Sequence, residues 1–238
     1  GVMRKGLAQA GKTGWVYILD RTNGEPLVGI EERPVPQEPR QATAATQPYP
    51  LGDAFVTQTL DIPPEGFNLV NDGDIFTPFW EDPVLLRRSE ANWPPSTVDP
   101  RKGVMYVCAG ERQAAYSTRA DIEQVENGAR YTGGSMRFAP ITTTGVVAAM
   151  DLRTNRRLWS QRWSSRCYSG LVATAGDLLF AGRNDGRFTA MDSRDGTKLW
   201  EFMTDAGVNA PPSVFEHDGK QYIAVFSAGN LLAASNRG

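Results

Sequence analysis

A chain of 238 residues with 40% hydrophobic and 22% charged side chains has ample apolar material for a core, and its composition excludes collagen and intrinsic disorder. The formal net charge of −2 provides no basic footprint, which argues against nucleic acid or an anionic membrane surface as partner. The longest uninterrupted apolar run, residues 104–109, is far shorter than the roughly 20 residues that a membrane-spanning helix needs.

No apolar h-region follows Gly1-Val2-Met3-Arg4-Lys5, so no signal peptide is visible. A polar strand over residues 2–10 leads to a hairpin at Gly11-Lys12-Thr13-Gly14. The strand 15–19 and a turn at 20–24 follow. From about residue 31 to 66 the texture changes, with Pro34, Pro36, Pro39, Pro48, Pro50, Pro63 and Pro64 and little periodicity. Each proline removes a ladder donor, so this stretch is expected to be a long insertion without regular structure, lying on one face of the fold.

Strands are expected to resume at 75–80 and 105–109, with Asn92-Trp93-Pro94-Pro95 between them. Residues 111–137 are polar and read as a second insertion, with a single helix over 117–126 stopped by Asn127-Gly128. Beyond Phe138 short apolar runs come densely, at 146–150, 158–163, 212–215, 221–227 and 231–234. Within 168–200, three runs at 171–175, 178–181 and 188–191 are separated by Gly176-Asp177 and Asn184-Asp185-Gly186. A last run ends on Trp200, which makes a four-stranded meander.

That unit has a copy upstream. Residues 145–159 (GVVAAMDLRTNRRLW) lie in register with 186–200 (GRFTAMDSRDGTKLW), and Trp159 and Trp200 stand 41 residues apart. A period of about 40 residues with four strands and a tryptophan per unit is the pattern of propeller blades. A weaker third copy begins at Leu19-Asp20-Arg21-Thr22-Asn23-Gly24, where Val28 takes the position of the tryptophan. The fold expected is therefore all-β: one domain over 1–238, a partial β-propeller of about four blades of four-stranded antiparallel sheet, with the two insertions.

Cys108 and Cys167 are too few for a disulfide scaffold. Cys108 sits inside an apolar strand, so a buried thiol is favoured over a bridge to Cys167. The one histidine, His217, sits in a turn, which argues against a Ser-His-Asp triad, a Cys-His pair or a multi-histidine metal site. No phosphate-cradling glycine motif and no Cys-x-x-Cys is present. The carboxylates Glu81, Asp82, Asp99 and Glu111 are scattered, and spacing alone pairs none of them.

The run from Gln9 to Gly24, QAGKTGWVYILDRTNG, resembles a phrase of the pyrroloquinoline quinone (PQQ)-dependent dehydrogenases, which carry it in an eight-bladed propeller. Residues 31–37 with Thr46-Gln47-Pro48 are similar to the membrane glucose dehydrogenase branch. Asn92-Trp93 ahead of a Tyr-Val strand resembles an element at the cofactor rim of that family. Residues 169–200 and 218–225 are similar to its last blades, including the tryptophan-docking repeat.

The resemblance implies that Lys12, Asn92, Trp93 and Tyr168 face PQQ. Lys12 would stabilise the charge that develops on a quinone oxygen. Asn92 would donate to a cofactor carboxylate, and the two aromatics would pack beside the ring. Tyr168 departs from the tryptophan that many members have there. The family's catalytic aspartate and the ligands of its calcium or lanthanide ion lie upstream of the phrase that begins at Gln9, so this chain would hold no metal ligand. The resemblance further implies an alcohol or sugar substrate, a quinone or cytochrome electron acceptor, a periplasmic location, and an N-terminal half or second chain that completes the ring. The other reading is a non-catalytic propeller scaffold similar to outer-membrane assembly lipoproteins; Lys12 and Asn92-Trp93 weigh against it, because a scaffold has no need of them.

Overall fold

Antiparallel hairpins begin with the first residues described and continue to the last. The computed structural model describes residues 3–60, 64–67, 69–118, 128, 133–141 and 143–229. β1 (Gly6–Ala10) and β2 (Val16–Asp20) pair across the Lys12 turn, and β2 alternates buried and half-buried residues as a strand between two layers should. β3 (Ile30–Pro34) and β4 (Thr46–Pro50) pair with each other, Ile30 opposite Pro50 and Pro34 opposite Thr46. The proline-rich stretch thus contains a hairpin where irregular chain was expected. A two-stranded ribbon tolerates the prolines because each strand has a free edge for the missing donor.

The expected strand at 75–80 does not form. Those residues follow a 3-10 turn at Asn71–Gly73, and the next strand is β5 (Val84–Ser89). β6 (Thr97–Asp99) then pairs with the start of β7 (Val104–Thr118), a strand of 15 residues. β7 therefore runs eight residues into the stretch expected as a polar insertion. Its far half is sheathed by β5 on one edge and β8 (Gly134–Phe138) on the other, so its polar residues have ladder partners. Ser117 and Thr118, the first two residues of the expected helix, end β7; the remainder, 119–126, lies outside the described residues, as does the expected strand 231–234.

β9 (Thr144–Asp151) and β10 (Arg157–Trp163) complete one four-stranded meander, β6-β7-β9-β10. β11 (Leu171–Ala173), β12 (Leu178–Gly182), β13 (Arg187–Asp192) and β14 (Lys198–Met203) form the next, in the order expected for the 168–200 unit. β15 (Ser213–His217) and β16 (Lys220–Ala224) pair beyond it. Among the described residues two four-stranded blades are complete, flanked by the β1-β2 and β15-β16 pairs, which belong to neighbouring blades of the expected partial propeller.

The core lies between blades. On β7, Met105, Val107 and Ala109 pack with Val16 and Ile18 of β2, while Val104, Tyr106 and Cys108 pack with Leu171, Leu179 and Ala181 of the next blade. β9 divides in the same way, with Val146, Ala148 and Met150 on one side and Val147 and Ala149 on the other. Phe180, Phe188 and Ala190 continue the stack onto Val208, Val214 and Ile223.

Each blade is also tied to the next through one recurring turn. Asp20, Asp99, Asp151 and Asp192 each accept a backbone N–H two residues on, from Thr22, Arg101, Arg153 and Arg194. Their own carbonyls accept from Gly24, Gly103, Asn155 and Gly196, all at positive φ. The Asp99 copy escaped the sequence pattern because its turn joins β6 to β7, the first hairpin of a blade, whereas the Asp151 and Asp192 turns join the third strand to the fourth. Arg194 holds the Asp192 carboxyl down to about 2. Trp159 docks on the Asp192 turn of the following blade: its indole donates to the Ser193 carbonyl at 3.1 Å, Gln161 donates to that of Gly196, and a Cβ at Gly196 would stand 2.8 Å from the indole. The third copy, which lacks a tryptophan, is docked otherwise. Leu51-Gly52-Asp53 lies against the Asp151 turn, where Asn155 donates to the carbonyls of Val16 and Leu51.

Cys108 of β7 and Cys167, in the connection from β10 to β11, form a disulfide with Cα atoms 5.5 Å apart. This corrects the expectation of a buried free thiol. Cys108 faces the following blade, and the chain returning to that blade's first strand passes directly opposite it. The bridge closes a loop of 59 residues. Replacing both cysteines by serine is expected to lower stability by about 2–4 kcal/mol, read by urea denaturation against the oxidised protein.

Candidate functional site

The recurring Asp turns all lie at one end of the strands, so the segments entering β6 and β11 and the hairpin joining β1 to β2 lie at the other. Lys12, Asn92, Trp93 and Tyr168 sit in these three segments. The structure brings two of them, Trp93 and Tyr168, into direct contact. The Trp93 indole donates to the Tyr168 hydroxyl at 2.9 Å, with the rings edge to face and their centres 5.4 Å apart. Asn92 and Trp93 line a cavity of about 270 Å3 with Gln9, Ala10 and Pro95. Trp93 is 60% exposed, unusual for an indole held by a hydrogen bond and a ring contact.

Lys12 is linked to this group through its backbone. Its carbonyl accepts from the Ser89 N–H at 3.0 Å, and the Ser89 hydroxyl accepts from Ala91 N–H at 3.0 Å, one residue before Asn92. The Lys12 side chain is exposed and forms no ion pair among the described residues.

Behind the aromatic pair lies a charged cluster that sequence reasoning missed. Arg166 stacks its guanidinium on the Tyr168 ring, 4.3 Å from the centre, and forms an ion pair with Glu90. Glu90 also holds Arg112, 3.4 Å away. Glu90 is 5% exposed and Arg166 9%. Gly110 makes room for them, since a Cβ there would stand 2.5 Å from Glu90 Oε2. The only signal in the sequence is position: Glu90 and Arg166 each stand two residues before a rim aromatic or its neighbour, Asn92 and Tyr168.

Several polar atoms at this end are buried without a hydrogen-bond partner: the Thr13 hydroxyl and Trp15 indole N–H beside Lys12, and both side-chain atoms of Asn184. Asn184 N–H donates to the Arg166 carbonyl. Unsatisfied groups of this kind, a cation, an amide and exposed aromatic surface fit a planar, anionic, oxygen-rich ligand.

The scattered carboxylates do not converge on this rim. Asp99 lies in a turn at the far end of β6, held below the usual carboxylate range by its hydrogen bond to Arg101. Glu111 is fully engaged in structure, paired with Arg87 at 3.0 Å and Arg162 at 2.8 Å and accepting from Thr57 N–H and the Thr144 hydroxyl. Burial pushes its carboxyl up, but Arg87 and these donors outweigh burial and the net direction is down. Because the folded state depresses it, the stabilisation is present above the ordinary value of 4.5 and is lost as the pH falls below it. Glu111→Gln is therefore expected to cost about 3 kcal/mol at neutral pH, with the deficit against wild type shrinking in acid, as measured by denaturant unfolding at several pH values.

The family model described as PQQ: glucose/ethanol/alcohol dehydrogenase, β-propeller domain, matches residues 1–128 and 140–223. The chain is 28% identical over 242 residues to a quinoprotein ethanol dehydrogenase of Pseudomonas putida, covering 94% of this chain and 34% of that protein. It is 29% identical over 238 residues to lupanine 17-hydroxylase [cytochrome c] of a Pseudomonas species, covering 100% of this chain and 31% of that one. Among solved structures, a europium-containing methanol dehydrogenase superposes with a TM-score of 0.70 at 24% identity, over 98% of this chain and 39% of that one, which shows the shared fold. The chain spans about a third of the length of the curated relatives it matches.

Proposed function

The chain belongs to the family of PQQ-carrying glucose/ethanol/alcohol dehydrogenase β-propeller domains, and from that premise we propose that it is the C-terminal part of a dehydrogenase that oxidises an alcohol or sugar hydroxyl. PQQ, when bound, supplies the acceptor of the hydride. The observation that carries the reading is the Trp93–Tyr168 pair, with the indole exposed and the phenol half-buried, at the end of the blades where the Lys12 hairpin also lies.

In this reading Lys12 places its ammonium beside a quinone oxygen and lowers the energy of the negative charge that develops there. Donors aimed at developing charge are worth about 3–4 kcal/mol in comparable sites. Asn92 donates to a carboxylate of the cofactor. Trp93 and Tyr168 form an aromatic wall that orients the ring and excludes water from one side of it. Tyr168, smaller than a tryptophan, keeps its place in that wall through the hydrogen bond from Trp93.

The metal that accompanies the cofactor, calcium or a lanthanide, and the base that takes the substrate proton would come from the part of the ring N-terminal to Gln9, supplied by the same polypeptide or by a second chain. Electrons would pass on to a quinone or a cytochrome. The Cys108–Cys167 disulfide supports a periplasmic location, since such bonds persist in oxidising compartments.

Titrating the full-length protein with PQQ and calcium, and separately with PQQ and a lanthanide, is expected to quench its tryptophan fluorescence in at least one case. Lys12→Ala is expected to lower turnover at least about a hundredfold while leaving most of the binding. Absence of any response to PQQ would overturn the reading.

A further inference from the structure

The indole N–H is a donor only, so in the Trp93–Tyr168 hydrogen bond the phenol oxygen must accept. That assigns one of its lone pairs and leaves the Tyr168 O–H proton free to donate outward, and among the described residues no acceptor is seen for it. The orientation is not set by the two aromatics alone, because Trp93 is mostly exposed and has few neighbours to hold it. It is set from behind. Arg166 places its guanidinium over the opposite partner, Tyr168, and is itself clamped by Glu90.

Glu90 is well placed for this role. Its backbone N–H donates to the Gly110 carbonyl at 2.7 Å, and its neighbours on either side are fixed: Ser89 to the Lys12 carbonyl, and Ala91 to the Ser89 hydroxyl. It thus connects the three segments that carry Lys12, Asn92-Trp93 and Tyr168. The cluster also has a sign. Two guanidiniums, Arg166 and the half-buried Arg112, share one carboxylate, so the group behind Tyr168 carries a net positive charge. A cation against the ring face makes the phenol proton a better donor and favours an anionic acceptor in front of it.

We propose that Glu90 and Arg166 are positioning residues for the rim: Glu90 holds Arg166 over the Tyr168 ring, and this fixes the Trp93–Tyr168 pair so that the Tyr168 hydroxyl donates to a carboxylate or carbonyl oxygen of the bound ligand. Neither residue touches the ligand. The identity of that ligand as PQQ rests on the function proposed above; the clamp itself does not.

The test uses the full-length protein and the variants Glu90→Gln, Arg166→Met and Arg166→Lys, with Trp93→Phe as reference. The near-ultraviolet circular dichroism difference between wild type and Trp93→Phe isolates the signal of the fixed Trp93 indole. Glu90→Gln and Arg166→Met are expected to lose that same signal and to weaken PQQ binding by about tenfold or more, as read by fluorescence titration. Arg166→Lys keeps the charge but not the planar group, so it is expected to retain most of the melting temperature while losing the Trp93 signal. Should Glu90→Gln or Arg166→Met fail to fold, Arg166→Lys decides. Variants that melt lower but keep the Trp93 signal and the wild-type affinity would overturn the proposal. If wild type does not respond to PQQ and the signal is nevertheless lost, the positioning role stands and the cofactor assignment falls.

Discussion

Burial of both faces of a strand is the constraint on which this structure depends. A blade in the middle of a propeller has neighbours on each side, so successive residues of β7 and β9 face different blades and both sets must be apolar. A fully buried Val, Leu or Met side chain contributes roughly 1.5–3 kcal/mol, and these two strands alone place six of them, Val104, Met105, Val107, Val146, Val147 and Met150, between sheets. Alanines at 109, 148 and 149 let the sheets approach closely, and Tyr106, fully buried, fills the wider space beside Trp159. Within 104–109 and 146–150 a polar residue would be tolerated at neither parity, which is why those stretches read as unbroken apolar runs.

The docking turns add direction to this packing. A sheet face is only approximately selective for its neighbour, whereas the Trp159 indole must meet a carbonyl at one position of the next blade's turn. Gly196 has a positive φ and no room for a side chain, so turn and tryptophan specify each other. The same device in the third copy, which lacks a tryptophan, is built from Gly52 and Asn155, without any aromatic group. At the other end of the series, Trp200 is half exposed and packs on Phe188 and Phe202, and no turn covers it among the described residues.

Because the strands are held so firmly, the segments between them can carry polar and strained features at little risk to the fold. The rim collects buried polar atoms without partners, an exposed indole and the buried Glu90–Arg166 pair with the half-buried Arg112 beside it. At the opposite end every recurring aspartate is satisfied by its own turn. The Cys108–Cys167 bridge stands at the boundary, joining the middle of β7 to the residue next to Tyr168.

The amino-acid sequence by itself determined the blade: short apolar runs, turn residues that accept positive φ, and a tryptophan repeated after 41 residues are local signals, and each was legible without a partner in view. The motifs containing Lys12, Asn92, Trp93 and Tyr168 were also legible, through resemblance. The tertiary structure alone decided which of these meet, because residues 93 and 168 are brought together by blade stacking and not by any spacing along the chain. It decided the disulfide, since Cys108 and Cys167 acquire a common neighbourhood only when β7 faces the returning chain. It decided that polar residues 111–118 are strand, because ladder partners from β5 and β8 supply what periodicity did not show. And it revealed Glu90 and Arg166, whose charges are unremarkable in a linear sequence and become informative only when both are buried behind the same ring.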